Sequence, residues 1–221
     1  VRIALKFFFR RIEVKGIENI PEKGPIILVG NHPNTFMDPI LLGYAVLPKQ
    51  PYFLANGSIF KTRIARLFLS KLHTIPIYRK QDVHEKRDQL NEDAFSKCFD
   101  FLTGGGVLMI FPEGNSFNER KLRPLKTGTA RIALGAQQQQ NFTLPLTILP
   151  IGLNYSNPTR FREEVMINIG KALDVKQFQQ HYAKDPTEAV KLLTNFIHDQ
   201  LASLIVVTPD SEADDLVKKI E

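Results

Sequence analysis

Apolar residues are gathered into short, nearly unbroken runs along this chain. Pro25-Ile26-Ile27-Leu28-Val29, Pro51-Tyr52-Phe53-Leu54-Ala55, Val107-Leu108-Met109-Ile110-Phe111 and Thr147-Ile148-Leu149-Pro150-Ile151-Gly152-Leu153 are the clearest. Runs of this length between Gly, Pro and polar clusters predict strands buried on both faces. Thr74-Ile75-Pro76-Ile77-Tyr78-Arg79 predicts another, with Pro76 marking an edge or a bulge. Val165 to Ile169 predicts one more. Between the runs, apolar residues recur every three or four positions and predict helices. These lie over Ile40 to Leu47, Ser58 to Leu72, His84 to Thr103, Thr129 to Gln140, and Pro186 to about Val206. Gly104-Gly105-Gly106 closes the third. Val1 to Val14 predicts a helix leading into a strand.

Strands alternating with helices predict a single α/β domain: a mixed, mostly parallel central sheet flanked by helices, with an N-terminal amphipathic helix. The expected divisions are 1–14 for that amphipathic segment, a candidate membrane contact; 15–207 for the domain; and 208–221 for a tail of unassigned role. Arg2, Lys6 and Arg10 recur every four residues beside Phe7, Phe8 and Phe9, which suits either an interfacial helix on anionic lipid or a helix docked on the core. The helix over Ser58 to Leu72 interleaves Lys61, Arg63, Arg66 and Lys71 with Phe60, Ile64 and Phe68. It reads as a membrane face, an acyl-chain wall, or a core helix with a solvated basic flank.

Charge narrows the partners. With 29 Lys and Arg against 23 Asp and Glu, the chain carries a net charge of +6, which favours phosphate esters and anionic surfaces. No zinc finger, RNA-recognition signature or helix-turn-helix pattern is present, so nucleic acid is not an expected partner. The single Cys98 falls on the apolar stripe of its helix and is expected in the core. No run approaches the roughly 20 apolar residues that span a bilayer, and there is no signal-peptide pattern. The expected placement is peripheral, on the cytoplasmic side of a membrane.

Candidate chemistry sits where strands end. After the Pro25–Val29 run comes Gly30-Asn31-His32-Pro33-Asn34-Thr35-Phe36-Met37-Asp38-Pro39. Imidazole exchanges protons near neutrality, and a carboxylate on its far nitrogen fixes the tautomer, so His32 and Asp38 form a candidate general base with its orienting partner. Asp38-Pro39 also reads as a helix start, Asp as N-cap and Pro at the first helical position. After the Val107–Phe111 run comes Pro112-Glu113-Gly114-Asn115-Ser116. Arg120, Lys121, Arg123 and Lys126 follow, then Gly128 and a helix start, a candidate phosphate site. Arg79 closes its own strand, placed to meet an anion.

Four blocks carry a resemblance: Asn31-His32 with Asp38; Ile75-Pro76-Ile77-Tyr78-Arg79; Phe111-Pro112-Glu113-Gly114 with Ser116; and Leu149-Pro150-Ile151-Gly152. In this order and spacing the chain resembles the PlsC-like glycerolipid acyltransferases, which acylate glycerol phosphate and lysophosphatidic acid, over roughly Gly16 to Gly170. Two departures stand out. Five residues separate the motif His and Asp where four are usual, as in a variant branch that includes glycerol phosphate and dihydroxyacetone phosphate acyltransferases. Asn115-Ser116 replace an Arg that often follows Glu-Gly. A helical backbone across a separation of six would set His32 and Asp38 about 240° apart, so their contact requires a non-helical loop.

The resemblance implies an O-acyltransferase of phospholipid biosynthesis. A fatty acyl group would pass from acyl-CoA or acyl carrier protein to a hydroxyl of lysophosphatidic acid or glycerol-3-phosphate, with no metal and no cofactor beyond the donor. His32 would be the base and Asp38 its orienter. Arg79, Arg120, Arg123 and Lys126 would hold the acceptor phosphate, while Glu113, Gly114 and Ser116 contact the acceptor or order their loop. The absence of a G-x-S-x-G elbow argues against a serine intermediate. The competing reading is a catalytically silent lipid-binding protein on the same scaffold.

Overall fold

The apolar runs pair side by side in one sheet. A computed structural model describes residues 2–56, 74–77 and 87–208; Arg79, the basic helix expected over 58–72 and the tail from 209 lie outside them. In chain order the elements are α1 (Arg2–Phe8), β1 (Arg11–Lys15), β2 (Ile26–Gly30), α2 (Met37–Ala45), β3 (Tyr52–Asn56), β4 (Thr74–Ile77), α3 (Arg87–Thr103), β5 (Val107–Ile110), α4 (Gly128–Gln139), β6 (Thr147–Tyr155), β7 (Glu164–Ile169), β8 (Leu173–Asp174), α5 (Gln179–Lys184) and α6 (Pro186–Ala202). Among the described residues the strands lie in the order β1-β7-β6-β2-β5-β3-β4, with β8 against β6. β2 pairs in parallel with both β5 and β6, and β3 with β5 and β4, whereas β6 runs antiparallel to β7 and β8. This is the mixed, mostly parallel sheet that the pattern predicts. Pro76 lies on β4, the outer strand of that order, where its missing N–H breaks no ladder on the open side.

β2 shows why these runs lack alternation. All five of its residues are buried. Ile27 and Val29 face a cluster built with Cys98 and Leu102 of α3, Ala133 of α4 and Leu193 of α6. Ile26 and Leu28 face the opposite cluster, with Leu5 of α1 and Leu41 and Leu42 of α2. A strand sandwiched between helical layers must be apolar on both sides, and each such side chain contributes roughly 1.5–3 kcal/mol by its burial. Cys98 is fully buried, and desolvation pushes its thiol up to about 12, so it is part of the core.

The N-terminal helix is shorter than expected. It ends at Phe8; Arg10 lies past its end and pairs with Glu164 at 2.8 Å. Leu5 and Phe9 insert into the core while Ile3 and Phe7 stay 87% and 71% exposed. β1 then runs through the expected 14/15 division and pairs in parallel with β7. At the other end, α6 begins with Asp185 accepting from Thr187 and Glu188 backbone N–H, with Pro186 in its first turn. It stops at Ala202, short of the predicted Val206. Beyond it the Leu204 carbonyl accepts from Asn154 and Asn168 Nδ2 at 3.0 and 2.9 Å, which draws the chain across β6 and β7.

The parallel pairing decides where chemistry can occur. β2, β5 and β6 all point their carboxyl ends at the same edge of the sheet, with β2 between the other two. The chain leaves β2 for β3 on one side and later reaches β6 on the other. This is the switch in strand order at which open α/β sheets form their crevices.

Candidate active site

The loop from Asn31 is anchored before it turns. The Asn31 side chain donates to the Leu153 carbonyl and accepts from the Leu153 N–H, at 2.9 and 2.7 Å, tying the end of β2 to β6. His32 follows. Its ring stacks on Phe111, centroids 4.1 Å apart and planes 14° from parallel. Its Nδ1 meets Asp38 Oδ2 at 2.8 Å. A carboxylate only accepts, so Nδ1 carries the hydrogen and Nε2 presents the lone pair. Among the described residues nothing bonds Nε2, and the side chain keeps 13% of its surface exposed.

The backbone leaves β2 without helical structure through Asn34, and the first helical turn, closed by the Asp38 N–H on the Asn34 carbonyl at 3.2 Å, starts only there, so a separation of six still lets His32 and Asp38 meet. Asn34 organises that loop. Its Oδ1 accepts from Phe36 and Met37 N–H, both at 3.0 Å, and caps α2. Its backbone N–H donates to Asp38 Oδ2 at 2.8 Å, and its Nδ2 reaches the Pro158 carbonyl at 2.5 Å. This corrects the expected helix start: Asp38 is not the N-cap. α2 begins at Met37, one residue before Asp38, because Asn34 does the capping and the Asp38 carboxylate serves His32.

Asp38 is fully buried. Burial raises its carboxyl above the ordinary carboxylate range, while His32, Tyr155 and the Asn34 N–H act the other way. The Tyr155 hydroxyl donates to Oδ1. Every oxygen of the carboxylate therefore has a donor. Sequence reasoning missed Tyr155. It is the last residue of β6, and only the β2–β6 pairing brings it under a helix 117 residues earlier in the chain. Apolar periodicity carries no sign of such a contact.

Glu113 is buried at the carboxyl end of β5. Its Oε1 accepts from the His32 backbone N–H at 2.9 Å and its Oε2 from the Arg123 backbone N–H at 3.2 Å. Burial raises its carboxyl too, opposed by those two bonds. Both oxygens hold backbone, so Glu113 orders the loop that carries His32. Gly114 turns the chain there with φ +76°, and a Cβ on it would lie 2.5 Å from Lys126 Nζ. Lys126 thus lies directly over Gly114, just before α4. Ser116 is half-buried nearby.

The expected cations divide. Arg120 donates to the Ser156 and Tyr155 carbonyls at 2.8 and 3.4 Å. Arg123 grips Glu119 at 2.7 and 2.8 Å, its guanidinium 3.7 Å from the Phe117 ring centroid. Lys126 makes no ion pair among the described residues. A cavity of about 230 Å³ opens beside this assembly, lined by Asn31, Pro33, Tyr155, Met166 and Val206 but by neither His32 nor Asp38.

An α/β domain with a His–Asp pair after its central parallel strand defines the class. The model of the Acyltransferase family matches residues 11–154, well over half of the chain, which belongs to that family. A 1-acyl-sn-glycerol-3-phosphate acyltransferase of Borreliella burgdorferi is 25% identical over 222 residues, 100% of this chain and 76% of its own. Glycerol-3-phosphate O-acyltransferase 2 of Saccharomyces cerevisiae is 33% identical over 121 residues, 54% of this chain. An uncharacterised acyltransferase of Schizosaccharomyces pombe is 24% identical across 95% of this chain. The chain spans only 16% and 43% of the lengths of these two fungal relatives. The crystal structure of the lysophosphatidic acid acyltransferase PlsC from Thermotoga maritima shares the fold, with a TM-score of 0.62 at 20% identity over 92% of this chain and 76% of that one.

Proposed function

We propose that this chain moves a fatty acyl group from a thioester, acyl-CoA or acyl carrier protein, to a hydroxyl of a glycerol-phosphate-type acceptor. The observation that carries the reading is the 2.8 Å contact between His32 Nδ1 and the buried Asp38, with Nε2 left open. Nε2 takes the acceptor's hydroxyl proton as its oxygen attacks the thioester carbonyl. The tetrahedral intermediate collapses, the C–S bond breaks, and the imidazolium returns the proton to the leaving thiolate. Asp38 holds the ring and balances the imidazolium charge. Lys126 is the cation best placed for the acceptor phosphate, because Arg120 and Arg123 are engaged with protein groups. Arg79 remains a candidate outside the described residues.

Membrane contact has a candidate surface on α1. No helix among the described residues is long and apolar enough to cross a membrane. Ile3 and Phe7 are exposed on α1, and the Phe161 ring lies 5.5 Å from those of Phe7 and Phe8. Arg2 and Lys6 beside them suit anionic headgroups. The test of the activity is thiol release from palmitoyl-CoA with glycerol-3-phosphate, dihydroxyacetone phosphate or lysophosphatidic acid, for wild type and His32→Ala. Acceptor-dependent release that the variant loses is expected. Equal turnover by a folded His32→Ala variant refutes the mechanism, and binding to vesicles without turnover on any donor favours the silent scaffold.

A further inference from the structure

Asp38 Oδ2 receives two donors, His32 Nδ1 and the Asn34 N–H, whereas Oδ1 receives one, the Tyr155 hydroxyl. Tyr155 is only 7% exposed, and its ring lies 6.1 Å from that of Phe9, itself in the core. Its backbone is held as firmly as its ring. It pairs with Val165 across β6 and β7, and its carbonyl accepts from Arg120. The family match ends at residue 154, so Tyr155 lies just past it.

We propose that Tyr155 is a positioning residue of the His32–Asp38 pair, which clamps the free oxygen of Asp38 and sets how strongly that carboxylate holds the imidazolium. The inference rests on the acyl-transfer reading for its kinetic consequence only. Buried beside an anion, the phenol is pushed well above its usual range, so it stays a donor throughout the working pH of the pair. Without it, Oδ1 would be an anionic acceptor with no donor and no water-facing surface. The carboxylate would then bind the imidazolium proton more tightly, and the ring would be less firmly aimed.

The other charged groups around the pair act through backbone. Glu113 sits on the His32 N–H, Arg123 donates its N–H to Glu113, and Arg120 sits on the Tyr155 carbonyl. Just past α1 the phenol ring lies near the apolar ring of Phe9, and from α2 it meets Asp38 itself. Tyr155→Phe removes one hydrogen bond and leaves all of these in place.

The experiment is an NMR titration of the His32 ring in wild type and Tyr155→Phe, run beside kcat/KM against pH. The variant's titration midpoint is expected to rise by about half a unit or more, and the acid limb of kcat/KM to move up with it. Turnover is expected to fall about tenfold with both KM values unchanged. Site-specific 3,5-difluorotyrosine at 155, which keeps the fold and offers a stronger donor, should move the midpoint down. A midpoint that stays put in both variants overturns the proposal. So does a fall in activity with no change in the pH profile, which marks a merely structural residue. If wild type transfers no acyl group, the titration still decides the role of Tyr155, while the proposed function fails separately.

Discussion

Asp38→Asn separates the charge of the carboxylate from its shape. Two donors converge on Oδ2, and one of them, the Asn34 N–H, is a backbone group that cannot be turned round. The amide oxygen must therefore take the Oδ2 position, where it still accepts from His32 Nδ1 and keeps Nε2 as the base. The amide nitrogen falls where Oδ1 was, facing the Tyr155 hydroxyl, which can rotate to accept. Tautomer and geometry survive; the anion beside the imidazolium does not. A neighbouring opposite charge is worth about one to three pKa units, so kcat should fall about 10- to 10³-fold. A flipped amide that imposes the wrong tautomer would instead cost about 10⁴-fold. Stability should move the other way. Asp38 has its carboxyl raised from 3.8 by burial, so its contribution is fully present below that value and is lost as pH rises through the folded-state value. Near neutral pH the uncharged Asn should melt no lower than wild type, and any advantage should vanish in acid. The assay is acceptor-dependent thiol release from palmitoyl-CoA, with thermal melts from pH 4 to 8. A loss of turnover smaller than tenfold in a folded variant would refute the coupling of Asp38 to His32.

Lys126→Ala should raise KM for the phosphorylated acceptor about tenfold and leave KM for the thioester unchanged, as expected for one lost charge-assisted bond to phosphate; steady-state kinetics with each substrate varied in turn decides, and equal effects on both would assign Lys126 a structural role over Gly114. Phe7→Asp with Phe161→Asp removes two exposed rings of one cluster without touching Leu5 or Phe9. Sedimentation with phosphatidylglycerol vesicles should weaken about tenfold or more while the circular dichroism spectrum is unchanged, and undiminished binding would place the membrane contact elsewhere.

The parts of this molecule that sequence predicts well are those fixed by solvent exclusion. β2, β5 and most of β6 are apolar because helices cover both faces, and such runs admit few other readings. His32 and Asp38 are legible because their chemistry is rare and their separation short. What sequence cannot show is which polar group answers which. Arg120, Arg123 and Lys126 look alike in a basic stretch. Their roles divide only when folding gives two of them carbonyl or carboxylate partners and leaves Lys126 over Gly114. Glu113 reads equally as a substrate contact or a loop organiser until both oxygens are found on backbone N–H groups. Tyr155 gave no local signal at all. Its contact with Asp38 exists because strands distant in sequence are neighbours in the sheet.

The separation of six between His32 and Asp38 is reconciled with their contact by Asn34. With five intervening residues, Asp38 would be carried round the helix if α2 began directly after His32. Asn34 prevents this by capping the helix at Met37 while its own N–H bonds the carboxylate. The same side chain reaches Pro158 in the segment that carries Phe161, and Phe161 packs on α1. One residue thus connects Asp38 to the exposed aromatic cluster. Asn34 is therefore a strut between the His32–Asp38 contact and the Pro158–Phe161 segment that packs on α1.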